Sequence, residues 1–151
     1  MNSPTERQLW MATLAKAPLE QLVNAVSALG ELPHYYHLRP PEIGLAMVRG
    51  RAGGTGQQFN LGEMTVTRCV VRIDIPQGES SVGFGYVAGR SHQHAELAAV
   101  CDALMQLPSW RHKLQTHVIE PLQAEATRRQ DIQKRQTAAT KVNFFTLVRG
   151  E

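Results

Sequence analysis

A chain of 151 residues and 16.8 kDa argues for one folded domain with enough material for a real core, so disulfide or metal staples are optional. Apolar residues make up 42% and charged residues 19%, and no stretch approaches the ~18 uninterrupted apolar residues of a membrane helix, which excludes a membrane-spanning chain. The basic pI of about 9.1 is local: residues 128–141 hold Arg128, Arg129, Lys134, Arg135 and Lys141 against Asp131, a +4 segment that leaves −1 for the remainder and, without interleaved aromatics, reads as a solvated or partner-facing helix rather than a nucleic-acid site.

The start, Met1-Asn2-Ser3-Pro4-Thr5-Glu6, lacks the basic region and apolar run of a signal peptide, so a cytoplasmic location is expected. In a reducing compartment the two cysteines, Cys69 and Cys101, build no disulfide framework, four-cysteine zinc site or three-cysteine iron–sulfur cradle.

Ser3-Pro4-Thr5-Glu6 has the form of a capping box with proline in the first helical turn, and Trp10, Leu14 and Ala17 follow at helical spacing. Pro18 opens a second helix with the stripe Leu19, Leu22, Val23, Val26 and Leu29, closed by Gly30. From Tyr35 the period changes to two. Pro40-Pro41 is expected to separate a short strand from a second one near Ile43 to Arg51. In the run Thr65 to Ile75 the odd positions are largely apolar while the even ones include Arg68, Arg72 and Asp74, which predicts one buried and one wet face. Pro76 to Ser80 reads as a turn into a strand with Val82, Phe84, Tyr86 and Ala88 on one face and Gly83 and Gly85 on the other. That glycine face invites close approach, by the chain's own helix or by a foreign backbone.

Ser91 caps a further helix, striped by Leu97, Ala98, Cys101, Leu104 and Met105, that is expected to cover the sheet. A last helix starts near Ser109, bends at Pro121, and from Gln123 to Lys141 has Ile132 as its one large aliphatic residue, leaving it no face to bury. The apolar run Val142 to Val148 then reads as a strand-like tail. Phe144, Phe145, Leu147 and Val148 in it either add a strand to another subunit or return to the chain's own sheet. The expected fold class is α+β: a largely antiparallel sheet of about four strands, two N-terminal and two C-terminal helices, and an extended apolar tail. Residues 1–122 form the domain and residues 123–151 a polar helical extension with a partner-docking tail.

Three places have residue types suited to chemistry. Gly50-Arg51-Ala52-Gly53-Gly54-Thr55-Gly56 resembles a phosphate loop, but lacks both the Gly-Lys-Ser/Thr ending and the Gly-x-Gly-x-x-Gly order and precedes a strand, so it reads as a hairpin connection. The alternative reading is an anion contact in an assembly, with Arg49, Arg51 and Arg68 nearby. Gly89-Arg90-Ser91 joins a strand to a helix N-terminus, where free N–H groups and Arg90 suit an anion, against the ordinary reading of Ser91 as a cap. Along His92-Gln93-His94-Ala95-Glu96 the ~100° turn per residue places His94 with the covered stripe and His92 with Glu96 on the opposite side, so the three share no ion and no metal site is expected. His94 and Glu96 remain the candidate acid–base residues, and no serine or cysteine has a visible triad.

Arg51-Ala52-Gly53-Gly54-Thr55-Gly56, Phe59, Gly62-Glu63, Thr65-Val66-Thr67-Arg68-Cys69, Gly85-Tyr86-Val87-Ala88-Gly89-Arg90, His94-Ala95-Glu96 and Val142-x-Phe144-Phe145-Thr146-x-Val148-Arg149-Gly150 stand in one order. Together with Arg7-Gln8-x-Trp10-Met11 they resemble the PhnG family, the G subunit of the bacterial carbon–phosphorus lyase core complex, although the Pro76 to Ser81 turn is longer than the family's. The resemblance implies phosphonate catabolism as an obligate hetero-oligomer with the H, I and J subunits and the ATP-binding-cassette-like L protein. It implies an alpha-D-ribose 1-methylphosphonate 5-triphosphate synthase, in which methylphosphonate displaces adenine from MgATP. The nucleosidase chemistry then belongs to the I subunit, the later radical S-adenosylmethionine cleavage to J, and this chain binds no cofactor of its own. The rival expectations are a phosphate-handling enzyme at Arg90, His94 and Glu96, and a nucleic-acid-binding module on residues 128–141.

Overall fold

A computed structural model describes residues 5–149 apart from 52–55, and for residues 140–149 the backbone alone. Helix α1 spans Glu6–Lys16 and α2 spans Leu19–Ser27. The N-cap of α1 is Thr5, not Ser3: Gln8 N–H donates to Thr5 Oγ1 at 3.2 Å and Thr5 N–H donates to Gln8 Oε1 at 2.8 Å, a capping box two residues later than expected. Ser3 and Pro4 lie outside the described residues. Pro18 is the N-cap of α2, and Gly30 at φ +80° follows its last turn, as its stripe of Leu22, Val26 and Leu29 turns inward.

The sheet has three strands, not about four: β1 (Tyr35–Arg51), β2 (Gln58–Asp74) and β3 (Ser80–Ala88), antiparallel in the order β1-β2-β3. Pro40-Pro41 does not divide β1. As an edge strand, β1 tolerates residues without an N–H, and the ladder absorbs them through register shifts between His37 and Arg39 and between Arg39 and Glu42. The buried face of β2 follows the expected odd positions, with Thr67, Cys69, Val71 and Ile73 inside.

Helix α3 (His92–Met105) lies across that face. The partner of the glycine face is therefore the chain's own helix. A Cβ on Gly83 would stand 1.9 Å from the Ala99 carbonyl oxygen, and one on Gly85 2.0 Å from that of Ala95, so helix and sheet backbones touch with no side chains between them. Ala95, Ala98, Ala99 and Ala103 keep the contact thin, while Leu14, Leu22, Val71, Ile73, Leu104 and Ile119 fill the remaining core.

The last rod comprises α4 (Pro108–Leu114), a π-helical turn (Gln115–Ile119) and α5 (Glu120–Arg149). The wide turn sits just before Pro121, where the missing N–H would otherwise leave a gap in the α-helical ladder, so the chain continues instead of breaking. Among the described side chains Leu114, Val118, Ile119 and Leu122 are the last of the rod to be buried, and residues 130–139 are all exposed. The expected strand-like tail is a correction: the backbone of Val142–Val148 belongs to α5. Extending a formed helix by one residue needs no new nucleus, so the rod carries the run on as helix. The side chains of Phe144, Phe145, Leu147 and Val148 lie outside the described residues.

Candidate functional site

At the strand-to-helix junction, Ser91 Oγ accepts the His94 N–H at 3.2 Å and caps α3, and the Ser91 N–H donates to Thr67 Oγ1 at 3.1 Å. Thr67 Oγ1 in turn donates to the Gly89 carbonyl at 2.7 Å, so the junction satisfies itself with internal bonds. Arg90 is exposed beside it. His94 turns away from this surface. It is 9% exposed, and its Nε2 lies 2.9 Å from the Leu14 carbonyl, which ties α3 to α1. A carbonyl only accepts, so Nε2 carries the hydrogen.

Glu96, two residues along, faces β1. Tyr35 Oη donates to Glu96 Oε2 at 3.3 Å, and His37 Nε2 bonds Glu96 Oε1. Tyr35 and His37 stand edge-to-face, 6.1 Å between ring centroids. Burial, and then the Glu96 charge, raises the Tyr35 phenol above its ordinary value. This half-buried trio can orient an imidazole and hold a proton, which makes it the acid–base cluster of the fold. The structure thus joins Glu96 to His37 and Tyr35, and not to His94 or Arg90. Tyr35 and His37 escaped the sequence reading. Their signal is two polar rings at alternate strand positions, able to meet an acid in the first turns of α3.

No thiol serves this cluster. Burial and the Glu96 charge push Cys69 up to about 11, and burial pushes Cys101 up to about 12. Iodoacetamide at pH 8 is therefore expected to leave both cysteines of the folded chain unmodified, since only about one Cys69 in a thousand is then thiolate, and to label both in urea. Mass spectrometry reads the result, and rapid labelling of the native chain would contradict the burial. Among the described residues no group of three or more His, Cys, Asp and Glu is placed to hold a metal.

On the opposite, uncovered sheet face, Arg39, Arg68, Val70, Phe84 and Tyr86 line a shallow concavity of about 380 Å³. Arg68 donates to Glu42 at 2.7 Å there, so its charge is answered within the sheet. Arg51 ends β1, exposed and remote from Arg90, and the glycines of 52–55 lie outside the described residues. Of the site candidates, Arg90 and Ser91 are neighbours at the strand-to-helix junction, whereas Arg68 lies within β2 and Arg51 at the end of β1.

The sequence reading also missed Asp102. It is fully buried in α3 and accepts Arg7 Nε at 3.2 Å and Nη2 at 2.8 Å, Trp10 Nε1 at 2.8 Å, and the Phe84 backbone N–H at 2.9 Å. One carboxylate thus joins α1, α3 and β3. The signal was a lone acid inside an apolar helix stripe, with Arg7 and Trp10 three residues apart on α1.

A helix-covered three-stranded sheet that leaves Leu45, Met47, Leu61 and Tyr86 more than half exposed has the make-up of an assembly subunit. Residues 5–150 match the family described as phosphonate metabolism protein PhnG. Over 149 residues, 97% of this chain and 90% of the relative, the sequence is 44% identical to the alpha-D-ribose 1-methylphosphonate 5-triphosphate synthase subunit PhnG of Rhizobium meliloti (strain 1021). The chain belongs to the PhnG family. Among the described residues no helix is long and apolar enough to cross a membrane.

Proposed function

We propose that this chain is the PhnG subunit of a cytoplasmic alpha-D-ribose 1-methylphosphonate 5-triphosphate synthase, and that it shapes and holds the complex while the reacting groups lie on another subunit. The observation that carries this reading is the 44% identity to a synthase subunit along nearly the whole chain. The residue geometry is in keeping with it. His94 is spent on the Leu14 carbonyl, Ser91 on a helix cap, and Glu96 on two neighbours from β1. MgATP is then a substrate of the complex and not a cofactor of this chain. The I subunit supplies the nucleosidase chemistry beside H and the L protein, and J acts on the product.

Co-expression with the other subunits, followed by an assay for adenine release from MgATP and methylphosphonate, tests this. The complex lacking this chain is expected to be inactive, and the chain alone to release no adenine. Glu96→Gln and His94→Ala are expected to keep the activity per assembled complex within a few-fold. A loss of about 10²-fold or more with assembly intact, the size of a general acid–base contribution, would place catalysis on this chain.

A further inference from the structure

The ladder between β1 and β2 runs on past the end of β3. Val66 pairs with Ala88 on one side and Gly44 on the other, and beyond it residues 45–51 and 58–65 pair only with each other. About eight residues of each strand thus form a two-stranded arm on the order of 25 Å long. A free ribbon of this kind is marginal in water and holds its shape by packing on something.

The arm is apolar on both faces. By strand alternation Ile43, Leu45 and Met47 share one face, and Leu45 and Met47 are 68% and 54% exposed. On the other, Leu61 is the extra residue of a bulge opposite Val48 and Arg49, followed by Gly62 at φ +147°. The bulge gathers Leu61 and Phe59 over Gly50, with their carbons 3.1 Å and 3.5 Å from where its Cβ would be. Both remain exposed, at 62% and 46%.

Arg49 and Arg51 continue the Leu45 and Met47 face toward the tip. Both are exposed, and among the described residues neither has a carboxylate partner. The complement of this face is an apolar trough that ends in carboxylates. A second copy meeting the arm through the same face would bring two arginines from each chain against one Glu63 from each, a poor match of charge.

We propose that the β1–β2 arm inserts into an apolar cleft, closed by acidic side chains, on a different subunit of the synthase. Two apolar faces call for a cleft rather than a flat surface, and the unpaired guanidiniums set the direction of entry. The proposal rests on the subunit reading given above.

The test is made on the full chain co-expressed with the other synthase subunits. A photo-crosslinking amino acid at position 45 is expected to give one adduct with the mass of this chain plus a different subunit. Leu45→Asp with Met47→Asp is expected to lower co-purification of that subunit by about tenfold or more, and Arg49→Glu with Arg51→Glu to weaken it in a salt-dependent way. The crosslink keeps the proposal testable even if a variant fails to fold. An adduct with a second copy or with this chain's own α5, or undiminished co-purification of both variants, overturns the arm while leaving the subunit reading intact. If the unaltered chain captures no other subunit, the subunit reading fails and the arm with it.

Discussion

Asp102→Ala is expected to destabilise the chain by about 3–5 kcal/mol, the scale for removing one member of a buried ion pair, and to lower its thermal midpoint by roughly 10–15 °C. The carboxylate is inaccessible to water and, from α3, answers donors on two other elements, α1 and β3. Without it the buried Trp10 indole N–H has no acceptor, at a cost of about 1–3 kcal/mol, and the part-buried Phe84 backbone N–H loses its own at a smaller cost. Arg7 is 40% exposed and can turn to water, so it adds less. Asp102→Asn keeps the shape but turns an amide donor toward other donors, and its loss should fall between wild type and alanine. Urea denaturation followed by circular dichroism measures both. If each stays within about 1 kcal/mol of wild type, the carboxylate does not join the three elements.

Gly83→Ala and Gly85→Ala are each expected to cost about 3 kcal/mol, at the upper end for overpacking, because the added carbon meets helix backbone rather than a side chain that can rotate away. To make room, α3 must lift from the sheet, and every alanine contact along it then opens. The double variant is expected not to fold. Gly44→Ala is the control: nothing lies within 4 Å of its Cβ position, and its effect should stay within about 0.5 kcal/mol. Equal effects at all three positions, read by the same denaturation, would mean that glycine entropy and not backbone contact sets the requirement.

The helices were legible because their signals are local. Pro18, the Leu22–Val26–Leu29 stripe and Ser91 each act within a turn or two, and the structure has them in those roles. Alternation in β2 and the bare face of β3 announced a sheet with something pressed on it. What pressed on it was not legible, since the approach of Ala95 and Ala99 depends on a helix that starts nine residues after Gly83. The proline pair misled because local sequence does not say whether a strand lies at an edge. The tail misled because a β-rich run takes its form from the helix that precedes it, which it extends without a new nucleus. The same limit hid the acid–base cluster. Glu96 was visible, but its partners are 59 and 61 residues away, and His94 looked available only because its acceptor is a backbone carbonyl in another helix.

The rod after the π-helical turn makes the far end of the chain a matter of phase and reach. From Leu122, its last buried residue, to Arg149 the helix advances about 40 Å at 1.5 Å per residue, like a ruler fixed at one end. Each residue inserted or removed between them moves the end by that step and swings it by about 100°, so the side presented there changes completely within two residues. A step of seven residues brings nearly the same side back into place but still moves the end by about 10 Å.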